Sequence, residues 1–119
     1  MKKEWKNISK KNIIIKINKN LNISRGDKMK IGFTGTQKGI TQEQKFKFIN
    51  ILNKYKHLPI EFHHGDCIGA DENVHNIIRN LKGLQRIVIH PPNKEQKRAF
   101  CSSDEKRQPK PYLERNKDI

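Results

Sequence analysis

From Met29 onward, apolar residues fall into short runs and helical stripes separated by glycine and proline turns. Lys30 to Thr34 reads as a short buried strand. Thr41-Gln42-Glu43-Gln44 has the form of a capping box, with the Thr hydroxyl placed to accept from a first-turn N–H. Phe48, Ile51, Leu52 and Tyr55 then recur at helical spacing and predict an amphipathic helix to about Lys56, closed by Pro59. Ile60 to His63 is the second strand. Ala70, Val74, Ile77, Ile78 and Leu81 form the stripe of a second helix that Gly83 ends. Arg86 to His90 is the third strand, stopped by Pro91-Pro92. A long polar stretch follows, Asn93 to Lys110, of the kind that is more often a functional loop than a structural one. Pro111 then opens a last helical segment through Tyr112 and Asn116.

Strands alternating with helices imply an α/β domain built on a parallel sheet with right-handed crossovers. Residues 29–119 are the expected domain. Residues 1–28 are expected to be a basic, weakly ordered arm, or to precede a true start at Met29. Nine basic and two acidic side chains precede Met29, half of the net charge of +14 carried by all 119 residues. Lys and Asn make up most of the arm's polar part, which leaves little apolar area to offset ordering entropy. One exception is written into it: Asn12 to Ile17 is rich in β-branched isoleucine and suits an extra strand.

Composition excludes several classes. Lys16 cuts the apolar run Ile13-Ile14-Ile15 well below the length of a signal-peptide core, and no stretch is long enough to span a bilayer. Cys67 and Cys101 show neither disulfide nor zinc spacing. A reducing cytoplasm is the expected compartment.

Candidate chemistry lies in two glycine turns, Gly32 to Gly39 and His64 to Asp71, each leaving a strand and entering a helix. Glycine lets backbone approach a ligand closely, and the unpaired N–H groups at a helix start favour an anion. The first turn fits neither the P-loop pattern nor the dinucleotide fingerprint, which speaks against ATP hydrolysis and dinucleotide binding.

At three blocks the chain resembles the SLOG superfamily, a Rossmann-like group that includes the DNA-processing protein DprA and the LOG phosphoribohydrolases. The blocks are Ile31-Gly32-Phe33-Thr34-Gly35-Thr36, His63 through Asp71, and Pro109 through Asn116. The likeness is greatest to the YspA-like branch of bacteria and phages. It implies a Rossmann-like parallel sheet with flanking helices, and a nucleotide or a phosphate-and-ribose ligand across the strand C-termini. Carried over, Thr34, Gly35, Thr36 and Gln37 approach phosphate or ribose, while Gly65, Asp66, Gly69 and Ala70 shape the second loop. Asp71 caps the second helix, Arg115 pairs with phosphate, and Asn116 bonds a ribose hydroxyl or the loop backbone. The family continues with a further strand, a glycine-rich turn and a helix. The sheet is therefore expected to be truncated after its third strand, leaving an exposed edge on the first that either recruits a second copy of the chain or is filled by Asn12 to Ile17 folding back onto it. No cofactor is expected.

Competing readings rest on the same residues. His63, His64, Asp66, Cys67 and His75 invite a metal, but His63 and His64 alternate faces at a strand end and the spacing is not that of a ligand set, so none is expected. Cys67 as a nucleophile lacks an evident base and third group. Asp66, Asp71 and Glu114 are the carboxylates available for cleaving an N-glycosidic bond, and capping explains the first two as well. The alternative function is a nucleic-acid-binding module, favoured by the net charge, with the basic arm before Met29 as the segment that would meet nucleic acid without sequence preference. The arm's single tryptophan, Trp5, argues against a stacking surface for single strands.

Overall fold

The computed structural model describes residues 2–10, 13–21, 28–36, 38–55, 57–81 and 85–119. Gln37, Lys56 and Gly83 lie outside the described residues. Six strands form one mixed sheet in chain order: β1 (Lys2–Lys10), β2 (Ile13–Leu21), β3 (Lys28–Thr34), β4 (Ile60–His64), β5 (Gln85–Ile89) and the two-residue β6 (Glu105–Lys106). Strands β3 to β6 are parallel, and β1 and β2 add an antiparallel pair at the β3 edge. Three helices accompany them: α1 (Gln42–Tyr55), α2 (Ala70–Arg79) and α3 (Tyr112–Asp118).

The expected capping box closes α1. Thr41 N–H donates to Gln44 Oε1 at 2.9 Å, and Gln44 N–H donates to Thr41 Oγ1 at 3.1 Å. Phe48 on α1 packs edge-on to Phe33 of β3 and also meets Phe62 of β4, so the aromatic rings fix helix to sheet. His75 of α2 reaches the same sheet face at His64. Because the parallel strands progress in one direction, crossovers of one hand leave α1 and α2 on a single face. That face holds the core: Ile15, Ile17, Met29, Ile31, Phe33, Phe62, Ile87 and Ile89 are all buried.

One expectation is corrected here. The sheet is not truncated after a third strand, because β1 and β2 add to it on one side and β6 on the other. Strand β2 pairs with β3 from Ile14↔Thr34 to Asn20↔Lys28, so the β3 edge expected to lie open is occupied. The cause is the alternation Ile13, Ile15, Ile17. These three point to the core and are at most 6% exposed, while Ile14 on the other face is 41% exposed. Three buried isoleucines contribute roughly 1.5–3 kcal/mol each, enough to order the strand that carries them. Among the described residues, no helix is long and apolar enough to cross a membrane.

Candidate functional site

Parallel pairing puts the ends of β3 and β4 side by side, with Phe33 opposite His64. Both glycine loops therefore leave the same edge of the sheet, and Ala70 N–H donates to Thr36 C=O at 2.9 Å to join them. Farther along the first loop, Ile40 N–H donates to Asn73 Oδ1 of α2 at 3.1 Å. The two loops are thus one structure.

The second loop is held by its own acidic residues. Asp66 has φ of 54° and is fully buried. Its Oδ2 accepts from Arg98 Nε at 2.7 Å, its Oδ1 accepts from Cys101 N–H at 2.8 Å, and its carbonyl accepts from Ala99 N–H at 2.8 Å. Ile68 N–H completes the seam by donating to Lys97 C=O. The polar stretch after β5 is therefore a strap over the loop, tied down chiefly at Asp66. Asp71 folds back from the first turn of α2, and its Oδ2 accepts Cys67 N–H at 3.2 Å while the Gly65 N–H also donates to the carboxylate. Its Oδ1 is buried without a partner among the described residues. Burial raises the Asp71 carboxyl to about 7, against those N–H bonds and the nearby Arg115 charge.

Gly69 begins α2 at φ 97° and ψ −122°, a conformation open in practice only to glycine. Gly65 is required for space, because a Cβ there would stand 2.7 Å from the Arg115 guanidinium and 2.8 Å from Asp71 Oδ2.

The structure brings the expected residues together in two different capacities. Thr34, Gly35, Thr36, Gly69 and Asn116 are half-buried and form the accessible rim. Gly65, Asp66, Ala70, Asp71 and Arg115 are buried and form its frame. Arg115 is 2% exposed, donating through Nη1 to Gly65 C=O and Cys67 Sγ, each at 3.0 Å, and through Nη2 to Asn116 Oδ1 at 3.0 Å. It clamps α3 to the second loop. Gln37 lies outside the described residues. Glu114 is exposed and enters no part of the frame.

Sequence reasoning missed the histidine pairs. His64 Nδ1 accepts Asp66 N–H at 3.0 Å, so its proton sits on Nε2 and is donated to His75 Nδ1, also at 3.0 Å. On the opposite sheet face, His63 meets His90. The alternation of His63 and His64 signalled opposite faces, but their partners are set by chain pairing. A ligand set of His64, His75 and Cys101 has its donor atoms within 4.8 Å of one another. While Asp66 N–H holds the His64 Nδ1 lone pair, His64 Nε2 carries a proton and offers a metal nothing. Burial pushes the Cys67 thiol up, and burial with the Asp66 charge pushes Cys101 up to about 12, so neither is an activated nucleophile.

No protein-family model, curated protein or solved structure matches this chain. What the residues themselves define is an α/β protein with two fused glycine loops at the C-terminal edge of its parallel strands.

Proposed function

We propose that this chain binds a nucleotide, or a nucleotide-derived ligand of phosphate and ribose, on a Rossmann-like domain related to the SLOG superfamily. One observation carries the reading: the Ala70 N–H to Thr36 C=O bond makes the two glycine loops a single rim at the strand C-termini. That edge is where open α/β sheets take their ligands. Thr34 and Thr36 offer hydroxyls, Gly35 and Gly69 offer backbone unshielded by side chains, and the start of α2 favours negative charge. Binding is favoured over glycosidic cleavage. Asp66 is committed to Arg98 and Cys101, and Asp71 is enclosed, so neither carboxylate is open to a ribose carbon.

Calorimetric titration with AMP, GMP, CMP, UMP and ribose 5-phosphate tests the proposal. Saturable binding of one of them, lost in Gly69→Val with the circular dichroism unchanged, supports it. No saturable binding of any through the millimolar range overturns it. The second reading, a nucleic-acid module, is favoured by the net charge of +14. It requires affinity for single-stranded oligonucleotides that falls steeply with salt and ignores Gly69→Val.

A further inference from the structure

The sheet face away from α1 and α2 carries a second constellation. A cavity of about 370 Å³ opens there, lined by Lys30, His63, His90, Arg107, Lys110 and Asp118. Two bonds order its histidines. His63 Nε2 lies 2.7 Å from Glu61 Oε1, and His63 Nδ1 lies 2.7 Å from His90 Nε2. An ionised carboxylate only accepts, so the His63 proton is on Nε2. His63 Nδ1 must then accept from His90 Nε2–H, which leaves the lone pair of neutral His90 on Nδ1. No described residue donates to that atom. Nor is it among the fully enclosed polar atoms without a partner, so it is not sealed from solvent, and His90 lines the cavity.

Three cations and an acceptor thus share one cavity with one acid. Lys110 Nζ is 2.6 Å from Asp118 Oδ2, and Arg107 pairs with Glu105. Those carboxylates hold both side chains at the surface, where an anion exchanges against them. The cations select an oxyanion, and an acceptor between them rewards one that still carries an O–H.

We propose that this cavity binds inorganic hydrogenphosphate, its charged oxygens on Arg107, Lys110 and Lys30 and its P–OH donating to His90 Nδ1. Sulfate has the same shape and a similar charge but no proton to give at neutral pH. Burial, with His63, Arg107 and Lys30 nearby, lowers His90 to about 4 against the opposing pull of Asp118. The ring therefore stays an acceptor through the neutral range.

The test is titration of the full chain at pH 7 and constant ionic strength with sodium phosphate and with sodium sulfate. Phosphate is expected to bind about tenfold or more tighter than sulfate. Arg107→Gln and Lys110→Gln, both at exposed positions, are each expected to weaken phosphate about tenfold. His90→Phe keeps the ring's shape and removes the acceptor, at the cost of the bond to His63, and it is expected to erase the preference over sulfate. Equal affinity for the two anions in the wild type overturns the proposal. So does phosphate binding indifferent to both Arg107→Gln and Lys110→Gln, or the absence of saturable phosphate binding. Gly69→Val is expected to leave phosphate affinity unchanged. Loss in that variant would assign the anion to the loop rim and overturn this site while leaving the loop reading standing.

Discussion

Asp66 Oδ2 and Arg98 Nε meet at 2.7 Å across the seam between the second glycine loop and the strap that follows β5. The carboxylate is fully enclosed and the arginine side chain is 13% exposed, so the pair works in a medium of low polarity. Breaking such a pair from one side leaves a buried charge uncompensated, which is costlier than never having built it. Arg98→Met is expected to destabilise the fold by about 3 kcal/mol in urea denaturation. Asp66→Asn is expected to cost less, because asparagine tolerates a positive φ and can still accept from Cys101 N–H. Hydrogen exchange should speed up first at the Ala99 and Cys101 amides. Unchanged protection there would show that the strap is held elsewhere.

Asp71 gives a pH signature of the opposite sign to most carboxylates. Its folded-state pKa of about 7 lies above the ordinary carboxylate value, so between pH 4 and 7 the native state binds the extra proton. The stability it contributes is present below pH 4 and is lost as pH rises through 7. Asp71→Asn keeps an oxygen for the Cys67 and Gly65 N–H groups and places an amide where Oδ1 lacks a partner. The variant is expected to exceed the wild type by a few kcal/mol at pH 8, and to lose more than half of that advantage by pH 5. Denaturation curves at the two pH values measure it.

The histidines act the other way. His63, His64, His75 and His90 are all lowered, chiefly by burial. Below pH 6.5 the unfolded chain takes up protons that the folded chain refuses, so stability falls as pH drops from 6.5 toward 4. Four groups outweigh Asp71, and the wild type is expected to unfold in mild acid. A melting temperature that is flat between pH 7 and 4.5 would contradict this balance.

Ile15→Asp and Ile14→Asp separate the faces of β2. Ile15 is 2% exposed and lies opposite Phe33, whereas Ile14 is 41% exposed. The first variant is expected to lose about 3 kcal/mol or more and to deprotect the Ile31 and Phe33 amides. The second should lose less than about 0.5 kcal/mol. Similar effects of the two would mean that β2 does not pack as described.

Gly69→Val is expected to cost about 1–3 kcal/mol in thermal denaturation, since φ 97° with ψ −122° strains any side chain.

The sequence by itself determined β3, β4, β5 and the three helices, and it marked Asn12 to Ile17 as a strand, whereas β6 lay hidden in a polar stretch that reads as a loop. Helix α1 was legible because the Thr41–Gln44 reciprocal bonds and the Phe48–Leu52 stripe are local, spanning one or two turns. The three parallel strands were legible because short apolar runs ended at glycine and proline. Thr34, Gly35, Thr36 and Gly69 were also within reach, since a glycine turn between strand and helix is a contiguous pattern. Tertiary structure alone decided what depends on residues far apart in the chain. Ile13, Ile15 and Ile17 were legible as a strand, but they become core only because β3 offers an edge to pair with and a face to cover. Arg115 was legible only as a cation able to pair with phosphate, and it is the fold that brings it against Gly65, fifty positions away, where a carbonyl and a thiol accept from it. Likewise, nothing near Asp66 in sequence announces Arg98, and nothing near His63 announces His90. Local periodicity is set by bonds along the chain, whereas burial, protonation and pairing are set by whatever the fold carries to the other side of the sheet.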